Sequence, residues 1–316
     1  MNAAEQVRLA ATPSELACDE PDAHLVLAGD DGDAATRCSL WWRSTPLLGG
    51  RRIGAIGHFR ALDGESGARL LLAACAQLEA RGCGMALGPM DGNTWRRYRL
   101  VIERGDESPF FLEPDTPDHW PDCFAHAGFS VLATYCSSVQ ENLRLRDERL
   151  HAVDRRAAEA GIRIRTFDRE DTERELRSMH ELAVEAFQHG FLFSPIGTAQ
   201  FLEQYTRVLP LVRDELVLIA EQFGEPVAFL FALPDALEAE RGAARRTVIL
   251  KTVAVRPGRA YAGLAHLLAE RAATAALELG YVRAVHALMH EANSSLNWSA
   301  RYGRVFRRYA LLGRSL

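Results

Sequence analysis

The feature that most constrains this 316-residue chain is that one order of sequence patterns occurs twice along it. In the second half, Thr247-Val248-Ile249-Leu250-Lys251-Thr252-Val253-Ala254-Val255 is β-branched and almost unbroken in apolar character, as a strand covered on both faces must be. Arg256-Pro257-Gly258-Arg259 ends it. After Gly263, Leu264, Leu267, Leu268, Ala272, Ala275 and Leu279 recur at helical spacing, and Gly280 supplies a left-handed stop. A strand over Tyr281 to Leu288, then Asn293, a short helical stretch with Trp298 and Tyr302, Gly303, and a last strand from Val305 to Leu312 complete the unit. The first half repeats the order. A strand Arg52–Phe59, a turn Asp63–Gly67, a helix carrying Leu71, Cys75 and Leu78 up to Gly82, and a strand Met85–Gly88 lead to Asn93, Trp95 and Tyr98. After an insertion come Phe124–Phe129 and a strand from Val131 to Tyr135. Two such copies predict an α/β fold made by duplication of one unit.

The charge-dense stretch from Gln140 to Gly161 divides the copies and reads as a solvated connecting helix. The expected units are therefore residues 1–145, a linker helix over 146–161, and residues 162–316. The second unit begins with an alternating strand at Ile162–Phe167. A helix over Glu173–Phe187 follows, and then a hairpin of Leu216–Glu221 and Pro226–Leu233 across Phe223-Gly224-Glu225.

Composition narrows the partners. An apolar content of 48% excludes a disordered chain, and a net charge of -5 lacks the broad basic footprint of a nucleic-acid binder. No apolar run approaches the ~20 residues that span a bilayer, and no secretory leader is expected. Six cysteines without a Cys-x-x-Cys pair read as buried thiols of a cytoplasmic protein. Lys251 is the only lysine.

The hairpin, the strand Thr247–Val255, the glycine loop and the helix after it resemble the GNAT superfamily of acyl-CoA-dependent N-acyltransferases. In that family the central strand ends in Val-x-Pro and is followed by Arg/Gln-x-x-Gly-x-Gly/Ala. This chain has Val255-Arg256-Pro257 and then Ala260-Tyr261-Ala262-Gly263-Leu264-Ala265. Ala260 replaces the family's Arg or Gln, and Arg259 stands one residue early. The physical requirement is a helix start whose bare N–H groups can meet a pyrophosphate. The matching loop of the first unit carries Asp63 and Glu65, which repel such a group. The resemblance thus implies two tandem GNAT-like units, each a mixed, splayed sheet flanked by helices, with the first unit degenerate.

The resemblance also implies the chemistry. Acetyl-CoA or another acyl-CoA is bound by Val253, Val255, Gly258, Arg259, Ala260, Tyr261, Ala262, Gly263, Leu264, Ala265 and Asn293. A backbone N–H of Val253–Val255 polarises the thioester carbonyl in a gap between splayed strands. A small amine attacks directly, and a general acid protonates the thiolate, Tyr302 being the candidate. Lys251, beside that gap and on the side of Val253 and Val255, is a candidate catalytic cation or carboxylate ligand. His286, Leu288 and His290 are expected on one strand face, which makes His290 or Glu291 a candidate base. Two histidines and one acid fall short of a zinc ligand set. Arg301, Arg304, Arg307 and Arg308 are candidates for the CoA phosphates. Trp95, Tyr98, Arg99 and Glu113 are expected to line the acceptor pocket, with Glu113 holding the amine of a small, anionic acceptor. Two other readings stand beside this one: an aminoacyl-tRNA-dependent transferase of tandem architecture, and a non-catalytic acyl-CoA-binding module. The oligomeric state is open, a homodimer included.

Overall fold

The computed structural model describes residues 7–27, 36–293, 296 and 299–316. The first half opens with β1 (Val7–Ala10), a short helix α1 (Ser14–Ala17), β2 (Ala23–Leu27), β3 (Thr36–Trp41) and β4 (Leu47–Leu48). The long β5 (Arg51–Arg60) is joined by α2 (Gly64–Ala80) to β6 (Met85–Gly88), which runs parallel to it. Then come β7 (Leu100–Glu103), α3 (Trp120–His126) and β8 (Ser130–Gln140). The connecting helix is α4 (Leu150–Glu159). The second half holds β9 (Ile162–Thr166), α5 (Thr172–Phe187), α6 (Thr198–Val208), the hairpin β10 (Val217–Gln222) and β11 (Glu225–Pro234), and the short α7 (Ala236–Glu240). It ends with β12 (Thr247–Val255), α8 (Leu264–Glu278), β13 (Arg283–His290) and β14 (Arg304–Ser315).

The repeated order is present, with local differences. The expected turn at Asp63–Gly67 is instead the cap and first turn of α2, because the Asp63 carboxylate accepts the Ser66 N–H at 2.8 Å. Gly82 and Gly280 both take positive φ, 78° and 89°, just past α2 and α8, as the helix stops require. The strand expected from Tyr281 begins at Arg283 and reaches His290. Trp298 lies outside the described residues.

Among the described residues fourteen strands form one mixed sheet in the order β1-β2-β3-β5-β6-β14-β8-β13-β12-β11-β10-β9, with β4 beside β5 and β7 beside β14. The last strand of each half lies in the sheet of the other. β14 pairs with β6 of the first half, β8 pairs with β13 of the second, and β8 and β14 pair with each other from Arg304↔Val139 to Gly313↔Ser130. The two sequence units thus share a continuous hydrogen-bond ladder.

Helices cover the sheet where its strands are apolar on both faces. In the second half α8 buries Leu264, Leu267, Leu268, Ala272 and Ala276 against Val227, Leu230 and Val248. On the opposite face Leu176, Met179, Leu182 and Phe201 of α5 and α6 pack on Phe229, Phe231 and Ile249. In the first half α2 and α3 bring Leu70, Leu71, Leu78 and Phe124 onto Leu40 and Ile56. No helix among the described residues is long and apolar enough to cross a membrane. All six cysteines are free: Cys18 is exposed and the other five are buried.

Close backbone approach maintains the central crossing. A Cβ built on Gly303, just before β14, would overlap the Val139 carbonyl oxygen of β8. We expect Gly303→Ala to cost about 1–3 kcal/mol. In urea, tryptophan fluorescence of the first half and far-ultraviolet circular dichroism should shift together, because the exchanged strands tie both halves into one transition.

Candidate active site

The second half contains an opening between two parallel strands. β12 and β13 pair from Thr247↔Arg283 to Leu250↔His286 and no further. Past that point β12 stays on β11 as far as Val255, while β13 turns toward β8. Each strand carries a bulge where they part. On β12 the register passes from Leu250↔Ala232 to Thr252↔Phe231, so Lys251 is the extra residue. On β13 the register shifts between His286 and Met289, and Leu288 takes a left-handed φ of 58°. Bulges bend a strand and break its ladder, which is what separates these two. The Arg256 N–H donates to the Val227 carbonyl on β11 at 2.8 Å. Because N–H directions alternate along a strand, those of Val253 and Val255 point the other way, into the gap. Lys251, Thr252, Val253, Leu288 and His290 along the gap are partly exposed.

The start of α8 borders the gap. Gly263 adopts φ 93°, a conformation that favours glycine, and no side chain caps the helix or places an acid in its first turn. Gly258, Arg259, Ala260 and Ala262 are exposed, and Tyr261, Gly263 and Ala265 partly so, while Leu264 is buried. α4 reaches this corner as well. A Cβ on Gly263 would lie 2.9 Å from the Val153 methyl Cγ2, and the Arg156 guanidinium donates to the Ala262 carbonyl. The small residue therefore serves helix packing in addition to backbone exposure.

Three nitrogen-bearing side chains converge on the parting. Arg99, 5% exposed, donates from Nη1 to the Leu288 carbonyl at 2.9 Å. Its guanidinium lies in the angle between the rings of Tyr98 and Tyr135, which meet edge to face at 86°, at 3.8 and 4.0 Å from their centroids. Burial, and then the charge of Arg99, push the Lys251 ammonium down to about 8. The same two causes lower the His290 imidazolium. His290 Nδ1 accepts the Ala292 N–H at 3.0 Å, so in the neutral ring the proton sits on Nε2. Phe191, from the α5–α6 connection, packs on the His290 ring at 5.7 Å between centroids.

The first half shows the same geometry closed. Beyond Ala55↔Leu87 the Met90 N–H donates to the Ile56 carbonyl at 2.8 Å, and Asp91 Oδ1 accepts the His58 N–H at 2.6 Å. Gly57 leaves the room these residues occupy. Asp19 is paired with His58 at 2.9 Å and with Arg96 at 3.0 Å. Asp63 sits on the start of α2, and its hydrogen bonds from Ser66 hold its carboxyl below the usual range.

Comparison with solved structures places this architecture. The model superposes on the GCN5-related glucosamine N-acetyltransferase region of a fungal multi-domain GH3 β-N-acetylglucosaminidase with a TM-score of 0.56, at 14% identity over 95% of this chain and 34% of that one. It superposes on a GCN5-related N-acetyltransferase from Sphaerobacter thermophilus with a TM-score of 0.52, at 15% identity over 92% of this chain and 80% of that one. This chain has the GCN5-related N-acetyltransferase fold. By sequence it is 26% identical over 191 residues to protein YghO of Escherichia coli K12, a match covering 58% of this chain and about half, 48%, of that relative. No family model matches the chain.

Within this GCN5-related fold, several sequence-predicted residues stand elsewhere than the acceptor reading requires. The Glu113 carboxylate is fully enclosed, paired with Arg307 at 2.7 Å and accepting from the Tyr309 hydroxyl and the Phe110 N–H. It has no capacity left for an amine. Glu291 is bound by Arg308 and by the Thr134 hydroxyl at 2.7 Å, which ties up both oxygens. The arginines expected to meet phosphates are paired with acids: Arg301 with Asp147, Arg304 with Asp106 and Glu107, Arg307 with Glu113, and Arg308 with Glu103 and Glu291. Trp95 donates from Nε1 to the Ser194 carbonyl at 2.8 Å and packs among Phe187, Phe193 and Phe201. The shared face expected for His286 and His290 is broken by the β13 bulge. His286 meets Ser299 and Gln140, where burial lowers it to about 4, while His290 meets Tyr135 and Phe191. Tyr302 lies beside Gln140, Leu145 and α8, and burial, then Asp147 and Glu270, hold its phenol protonated. The exposed Asn293 opens the following turn, its carbonyl accepting the Leu296 N–H at 3.1 Å. The sequence reading gives Tyr135 and Phe191 no place at the site, since nothing local marks them as neighbours of the gap.

Two outcomes test these placements. Glu113→Ala leaves Arg307 buried without a partner and is expected to destabilise the fold by about 3–5 kcal/mol, read by denaturant unfolding. Lys251 has a lower pKa folded than its ordinary 10.5, so the unfolded chain binds more protons between about pH 8 and 10.5. Stability from this group therefore rises with pH through that window. The melting-temperature difference between the native chain and Lys251→Met should shift in favour of the native chain from pH 8 to 10.

Proposed function

We propose that this protein is an acyl-CoA-dependent N-acyltransferase, with acetyl-CoA the expected donor and a small amine the acceptor, joined in a ternary complex. The observation that carries this reading is the open parting of β12 and β13, with the N–H groups of Val253 and Val255 facing it, beside an uncapped helix start free of acids. The donor's diphosphate takes the start of α8 at Gly263, Leu264 and Ala265, where exposed amides and the helix dipole favour an anion. Gly258, Arg259, Ala260, Tyr261 and Ala262 form the approach.

The thioester carbonyl then faces the Val253 N–H. Attack by the amine nitrogen forms the C–N bond and puts negative charge on that oxygen, which a fixed N–H stabilises without reorganising. Collapse of the tetrahedral centre breaks the C–S bond. Lys251, near 8, is mostly protonated at physiological pH and stays the cation beside the gap, so the proton the amine sheds passes to water. Tyr302, kept protonated on the α8 side of the sheet, is the donor assigned to the leaving thiolate. His290 is not the base, because its Nδ1 lone pair is already used.

Calorimetry with acetyl-CoA, followed by thiol release against a panel of small amines, tests the proposal, and absence of acetyl-CoA binding overturns it. Ala265→Glu should weaken acetyl-CoA binding by about tenfold or more through charge repulsion. Its melting temperature should hold or rise, since a carboxylate in the first turn suits the helix dipole.

A further inference from the structure

The parting contains positive charge that the protein does not balance. The other buried arginine among the described residues, Arg307, is matched by Glu113, and the half-buried Arg165 by Glu175 and Glu221. Arg99 meets no carboxylate among the described residues. Its Nη1 is spent on the Leu288 carbonyl, its Nε is enclosed without a partner, and its Nη2 carries no hydrogen bond and is not sealed from solvent. Among the described residues the Nζ of Lys251 and the Nε2 of His290 likewise make no hydrogen bond and no ion pair, and both residues are half-buried. The nearby Glu291 is taken by Arg308 and Thr134. A desolvated cation with no counter-charge is costly, and two beside each other cost more. The Tyr98 and Tyr135 rings, set edge to face, hold the guanidinium in the angle between them, so Arg99 is a positioned fork on which a carboxylate fits.

We propose that the gap between β12 and β13 is a carboxylate site in which Arg99, Lys251 and the Nε2–H of His290 hold the anion, so that one of the two reactants joined there carries a carboxylate. The assignment rests on the acyl-transfer reading for its reactants, but the anion site itself does not. Two sources share the chemistry: the acceptor, as an amine bearing a carboxylate, or the acyl chain of a dicarboxylic acyl-CoA.

The first measurement needs no CoA. Thermal melts at constant ionic strength compare succinate with its neutral isostere succinamide. Succinate should raise the melting temperature above succinamide, and the difference should vanish in Arg99→Leu and in Lys251→Met. Lys251→Met keeps the side-chain length, so it reads the site even where loss of the Arg99 ring contacts unfolds the chain. Equal effects of the two compounds on the native protein, or a difference that persists in a folded Arg99→Leu, overturn the site. Calorimetry then distinguishes the sources. Succinyl-CoA binding about tenfold tighter than acetyl-CoA assigns the carboxylate to the acyl chain. N-acetylglycine binding about tenfold tighter than N-acetylglycinamide, on CoA-saturated protein, assigns it to the acceptor. Preference in neither arm overturns the assignment to a reactant. Failure of acetyl-CoA to bind while the succinate effect remains removes the acyl-transfer reading and leaves the anion site standing.

Discussion

The antiparallel pairing of β8 with β14 at the centre of the sheet is the interaction on which the remaining architecture hangs. Each of these strands also borders the parallel pair of one half, β14 through β6 and β8 through β13. The parting of β12 and β13 therefore depends on a strand from the first half. β8 draws β13 away through Met289↔Cys136 and His290↔Tyr135, and it supplies Tyr135 as one of the two rings that hold Arg99. Arg99, on the approach to β7, comes from the first half too. The site is composite because the sheet is.

The two halves differ at a handful of positions, and those positions decide which one stays open. Where the first half places Asp63 and a capping box at its helix start, the second places Gly263 and no acid. Where Met90 and Asp91 fill the first parting, the second is lined by partly exposed Lys251, Thr252 and Val253. The first half closes its own gap and lends a strand and a cation to its neighbour.

Much of this was legible along the chain. The mostly apolar run Thr247–Val255 is β12, and the glycine loop ahead of Leu264 is the start of α8, with Gly263 in a left-handed conformation at its cap. What stayed hidden was whatever depends on partners distant in sequence. The periodicity of β13 suggested one face for His286 and His290, but a bulge is a property of pairing, and it sent them to different neighbours. Glu113 reads, among its aromatic neighbours, as the acid that holds an acceptor amine, whereas Arg307, far along the chain, encloses it. The exchange of β8 and β14 leaves no local mark, because either strand fits either sheet by composition alone. α6 and the strands β1 to β3 were not distinguished in the sequence, as their runs are short.

The place of β14 has a consequence for how the molecule is made. Among the described residues the twelve residues of β14 follow every other strand of the sheet in chain order, yet they occupy its middle, between β6 and β8. Until they leave the ribosome, two unpaired edges face one another across an unfilled slot, each able to template a stray strand. The second half cannot complete its sheet until β14 is made, so a chain that lacks this strand loses its keystone.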